Sequence, residues 1–100
     1  MKTMRDPKRK PTHPGEMLRE DVLPALGMTQ TELAKRLAVS RLSVSELLLE
    51  KRALTPDMAV RIATLTGTTP ESWLRMQESV DLWELARDPK RYRHIEPIAA

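Results

Sequence analysis

Only Ala38 and Val39 separate two stretches of helical spacing in this chain, TQTELAKRL from residue 29 and SRLSVSELLLEKR from residue 40. A connection that short cannot lay two helices side by side; it forces them to cross steeply, as in a helix-turn-helix. Both stretches carry their own start signals. Thr29 with Glu32 three residues on forms a capping box, in which each side chain accepts from the other residue's otherwise unpaired backbone amide. Leu33 and Leu37 then share one face, with small Ala34 beside them so that a second helix can approach closely. Ser40 caps the next helix, whose inward side is Val44, Leu47 and Leu48, and Val39 fits the turn as an apolar plug.

The same punctuation recurs downstream. Thr55-Pro56-Asp57 and Thr69-Pro70-Glu71 each combine a cap, a proline at the first helical position and an acid near the positive end of the helix dipole. Met58, Ile62 and Leu65 make the stripe of the first of these helices, which Gly67 ends; the second runs to about Ala86. Upstream, HPGEMLREDVLPALG opens with Pro14 and places Met17, Leu18 and Val22 at helical spacing; Pro24 is expected to kink or end that helix, with Gly27 as its stop. The chain has no Phe and a single Tyr, so the aromatic runs that mark strands are missing. An all-α domain of five helices over residues 14–86 is therefore expected. It is flanked by a flexible basic arm, 1–13, and a C-terminal tail, 87–100, with little regular structure.

In a helix-turn-helix the second helix enters the major groove of DNA and the start of the first lies on the backbone. Arg41, Leu42, Ser45 and Glu46 then face the bases: Arg41 suits guanine, Leu42 a thymine methyl, and Glu46 a cytosine amino group. Thr29, Gln30, Ser40, Ser43, Lys51 and Arg52 suit phosphates. The same corner also occurs in all-α domains that have no DNA partner. Charge is a weak guide, because the net +3 sits in the tails: residues 14–86 carry eight basic and eleven acidic side chains. Other functions find little support. His13 and His94 lie in the tails, where solvent exposure is expected, and they lack metal-ligand spacing. There is no cysteine, no Gly-rich phosphate loop and no nucleophile motif, so no enzyme, metal, cofactor or small-molecule ligand is expected. No apolar run approaches the ~20 residues of a membrane span, and no secretory signal follows the charged start.

TQTELAKRLAVSRLSVSELL resembles the helix-turn-helix of the Xre/Cro repressor family. Over residues 13 to about 86, the more specific blocks HPGE and TTPESWLRMQ…DLW resemble the HigA-type antitoxins of bacterial toxin–antitoxin modules. That resemblance implies a lambda-repressor-like domain and a partner, a RelE-fold ribonuclease toxin whose operon the antitoxin also represses; the cytoplasm is the expected location because cysteine and a secretory signal are lacking. It also implies a homodimer through the end of the long last helix, at Val80, Leu82, Trp83 and Leu85. A two-fold dimer places its recognition helices ~34 Å apart and predicts a palindromic operator. A basic, RNA-binding toxin would find Glu16, Glu20 and Asp21 of the first helix attractive, although an ordinary solvated face explains those acids equally well. One departure stands out: family members often have Asn-Gly after the third helix, where this chain has Leu49-Glu50. A longer or stiffer helix end is expected there, with Glu50 close to the phosphate path and, together with Glu46, a moderate DNA affinity per subunit. A stand-alone repressor without a toxin, and a protein-interaction adaptor with a decayed DNA-binding unit, remain alternatives.

Overall fold

The structure is a computed structural model that describes residues 9–99, so most of the basic arm lies outside the described residues. Five helices carry the fold: α1 (Pro14–Met17, a π turn Leu18–Val22, then Leu23–Leu26), α2 (Gln30–Leu37), α3 (Arg41–Leu48), α4 (Pro56–Thr66) and α5 (Pro70–Ala86). No strand occurs among the described residues. Helix α1 rests against α3 and α5, α2 against α3 and α4, and α4 against α5. Leu18, Leu33, Leu47, Leu48 and Ile62 are almost wholly buried between them. Each contributes about 2 kcal/mol by leaving water.

The caps form as local chemistry dictates. Thr29 Oγ1 accepts from Glu32 N at 3.1 Å while Glu32 Oε1 accepts from Thr29 N at 3.2 Å. Ser40, Thr55 and Thr69 each accept from the amide three residues on. One expectation, that Pro24 could end the first helix, is corrected. Pro24 does not end α1: the Leu23 amide reaches back to the Leu18 carbonyl across a π turn. The wider turn accommodates a ring that would otherwise crowd the carbonyl four residues earlier, and the helix continues to Leu26. In the tail, regular structure is confined to a short 3-10 turn at Pro89–Tyr92 among the described residues.

Four helices end on a left-handed residue, two of them at Gly27 (φ 60°) and Gly67 (φ 71°). In the helix-turn-helix the same role falls to Ala38 (φ 57°), with the Val39 amide donating to Ala34 O at 3.0 Å. A Cβ in that conformation is strained by about 1 kcal/mol. Ala38→Gly is therefore expected to raise stability by about 0.5 kcal/mol, after glycine's extra unfolded-state entropy is subtracted, measured as the midpoint of urea unfolding. An unchanged or lower midpoint would show that the turn is not strained.

The start of α1 is built differently from the others and sets the position of α3. His13, expected to be a solvent-exposed tail residue, is 5% exposed and is the N-cap of α1: its Nδ1 accepts from Gly15 N at 2.9 Å. Gly15 follows because nothing larger fits; a Cβ there would lie 1.9 Å from the Leu47 carbonyl oxygen on α3. Burial pushes the His13 pKa below 6.5, with Lys10 adding to the shift and Glu50, Asp81 and Glu84 opposing it. The folded protein thus disfavours protonated His13, which could no longer accept from Gly15 at Nδ1. The stability from this residue is fully present above the unfolded value of 6.5 and is lost as pH falls below it. Thermal midpoints should drop between pH 7.5 and 5 in the wild type and drop less in His13→Asn, which keeps a capping side chain without the titration. Equal drops would remove His13 as the cause.

Candidate nucleic-acid interface

Helix α3 turns Val44, Leu47 and Leu48 into the core, which leaves its opposite side to solvent. Arg41 is exposed there, Leu42 is 64% exposed, and Ser45 and Glu46 are partly exposed. The four residues expected to read bases therefore lie on the accessible side of one short helix. Leu49, 55% exposed, lies seven residues after Leu42 and so falls near the same side; it is a further apolar candidate for a thymine methyl that the sequence reading passed over.

Two arginines hold this unit in shape, and neither stood out in the sequence. Arg61 on α4 donates from Nη1 to Leu37 O at 2.8 Å and Ala38 O at 3.3 Å, which caps the end of α2 at the turn. Asp57 orients it through a 2.8 Å bond to Nε. Arg19 on α1 does the equivalent for α3, donating to Leu48 O at 2.6 Å. Its carboxylate partners are Glu20 at 2.8 Å and Glu50 at 3.5 Å. Those bonds, the one to Glu20 first, outweigh its partial desolvation and raise the guanidinium pKa, so it stays charged.

The segment after α3 overturns one expectation. Loss of the usual glycine does not lengthen the helix, because Glu50 itself adopts the left-handed conformation at φ 62°. The Lys51 amide then closes the end on Glu46 O at 2.9 Å. The Glu50 carboxylate points to Arg19 and to Lys10 at 3.9 Å, so its charge is matched on the α1 side.

The expected phosphate contacts divide into two groups. Gln30 and the first amides of α2 lie at an accessible helix start, while the Thr29 hydroxyl is already engaged with Glu32 at 3.1 Å. Lys51 is exposed. Ser40, Ser43 and Arg52 instead bond to one another and to Glu46. Ser40 Oγ donates to Ser43 Oγ at 2.8 Å, Arg52 Nη1 donates to Ser43 Oγ at 2.9 Å, and Arg52 Nη2 donates to Glu46 Oε1 at 2.6 Å.

The end of α5 is exposed at Leu82 and Leu85 and half-buried at Trp83, with Arg87 stacked 4.6 Å from the Trp83 ring centre. Val80, expected with them on a surface shared by two copies, is only 1% exposed; it sits inside the monomer and leaves Leu82, Trp83 and Leu85 as that candidate surface. On α1, Glu20 and Asp21 are exposed and Glu16 is partly buried. His94 is exposed. Among the described residues no cluster of His, Cys, Asp or Glu is placed to hold a metal ion, and no helix is long and apolar enough to cross a membrane.

Comparison with known proteins agrees with this geometry. The family described as "Helix-turn-helix" matches residues 18–74. Antitoxin HigA-1 of Vibrio cholerae is 42% identical over 96 residues, which cover 95% of this chain and 90% of that protein. An uncharacterized HTH-type transcriptional regulator of Escherichia coli K12, YbaQ, is 41% identical over 96% of this chain and 88% of its own length. Among solved structures, the Pseudomonas aeruginosa antitoxin HigA with the higBA promoter superposes with a TM-score of 0.81 at 33% identity, covering 90% of this chain and all of that one. The family is one of DNA-binding regulators and antitoxins, with no enzymatic activity. With this helix order, this two-residue turn and this likeness over almost the whole length, the chain belongs to the HigA-type antitoxins of the Xre-type helix-turn-helix family.

Proposed function

We propose that this protein represses its own operon by binding a palindromic operator as a homodimer, and that it neutralises a RelE-fold ribonuclease toxin by direct binding in the cytoplasm. The observation that carries the DNA half is the accessible side of α3, held in place by Arg19, Arg61 and Gly15 and presenting Arg41, Leu42 and Ser45. Its counterpart is a HigA of the same fold that was solved with promoter DNA. The exposed end of α5 favours the dimer, since a helix of 17 residues extends well past the core that covers its first three turns. Two recognition helices related by a two-fold axis would reach half-sites ~34 Å apart.

A stand-alone repressor is the competing reading, and the likeness to YbaQ, described as a transcriptional regulator, favours it. One experiment separates the two: co-expression of the tagged protein with the product of the adjacent gene, followed by affinity purification and footprinting of the upstream DNA. A stoichiometric complex with a small basic partner, and a protected palindrome, are expected of the antitoxin. A footprint without any co-purifying partner would leave only the repressor.

A further inference from the structure

Two charged groups on the DNA-facing side of α3 do not fit simple roles. Glu46 places a carboxylate where a polyanion is to bind, and Arg52, beyond the helix end, is folded back against the helix instead of extending into solvent. The geometry connects them. Arg52 Nη2 meets Glu46 Oε1 at 2.6 Å and Nη1 meets Ser43 Oγ at 2.9 Å, and the same Ser43 hydroxyl accepts from Ser40 Oγ at 2.8 Å. The guanidinium is thereby held beside Ser40 and Ser43, at the N-terminal end of α3, where the helix dipole and free amides favour an anion. A guanidinium has five N–H donors, and two are committed here. The other three, and the Ser43 proton, remain for a ligand. The ion pair is partly open, with the side chains of Arg52 and Glu46 42% and 36% exposed, so a ligand can reach it.

We propose that Glu46 is a positioning residue and not a reader of cytosine: its carboxylate aims Arg52 at a single DNA phosphate seated over Ser40 and Ser43. The proposal rests on the DNA-binding reading above and names how one contact in it is made. It reverses the sign that charge alone would give. Removing an acid from a DNA interface ordinarily tightens binding; here removal frees Arg52 from its place and weakens it.

The test is fluorescence anisotropy with the full chain and a duplex of its own upstream DNA at several salt concentrations. It compares wild type, Glu46→Ala, Glu46→Gln, Arg52→Ala and the double variant Glu46→Ala/Arg52→Ala. Glu46→Ala should bind about fivefold to tenfold more weakly and reduce the salt slope by about 0.9, the signature of one lost phosphate. Glu46→Gln, which still accepts from the guanidinium, should retain affinity within about twofold of wild type. In the double variant Glu46→Ala should add nothing to the loss from Arg52→Ala, because residues acting through one contact are not additive. Tighter binding by Glu46→Ala overturns the proposal in favour of charge repulsion. An equal loss with and without Arg52 overturns it in favour of direct base reading. If the wild type shows no specific binding, the DNA reading itself falls, an outcome distinct from either of these.

Discussion

Gly15→Ala is expected to destabilise the protein by about 3 kcal/mol and to lower its thermal midpoint by about 15 °C. The reason is steric and local. The new methyl carbon would stand 1.9 Å from the Leu47 carbonyl oxygen and 2.9 Å from its carbon, both backbone atoms of α3 that no rotamer change can move aside. Relief requires the start of α1 to lift off the recognition helix. That movement strains the His13 cap at 2.9 Å and the Arg19 bond to Leu48 O at 2.6 Å. Operator affinity should fall with stability, even below the new midpoint, because α3 loses one of its supports. Gly27→Ala is the informative control: it has a φ of 60° but nothing within 4 Å, so only backbone strain of about 1 kcal/mol is expected. Two variants of equal stability would mean that the close approach of α1 to α3 is absent in solution.

What could be read from the sequence was what depends on neighbouring residues. Thr29 with Glu32, Ser40, and the Thr-Pro-acid runs at 55 and 69 marked four helix starts because capping joins residues only two or three positions apart. The two-residue turn at Ala38-Val39 gave the crossing of α2 and α3, and periodicity gave the inward side of each helix.

What could not be read involves atoms brought together from distant parts of the chain. Arg19 and Arg61 look like ordinary surface charges until each is seen to cap a helix 24 or more positions away. Val80 carried no mark to separate it from Leu82 and Leu85, and only the packing of residues around His13 and Gln77 shows that it belongs inside. The turn at Glu50 is hidden in the sequence because left-handed helix ends favour glycine without requiring it, and the ion pairs with Arg19 and Lys10 help hold a strained residue there. Gly15 did leave a signal. A glycine just after a proline at a helix start serves no turn, so a close contact with another element was the remaining reason for it.

The second large effect is on recognition. Arg41 is at the first position of α3, exposed, and able to give two parallel hydrogen bonds to a guanine edge. Arg41→Glu replaces that fork with a carboxylate facing the same acceptors and the phosphates around them. A lost bidentate contact costs about 1–3 kcal/mol, and charge reversal adds repulsion, so operator affinity should fall by at least about a hundredfold. The substitution sits on an exposed helix position, so the thermal midpoint should stay within about 3 °C of wild type.

Electrophoretic mobility shift on the DNA upstream of this gene, with wild type and Arg41→Glu at two salt concentrations, tests most directly whether α3 reads an operator. A palindrome-specific complex that weakens with salt and disappears in the variant is the predicted result. A variant that binds the same DNA as well as the wild type would contradict it, and would leave α3 a structural helix in a protein whose partner is another protein.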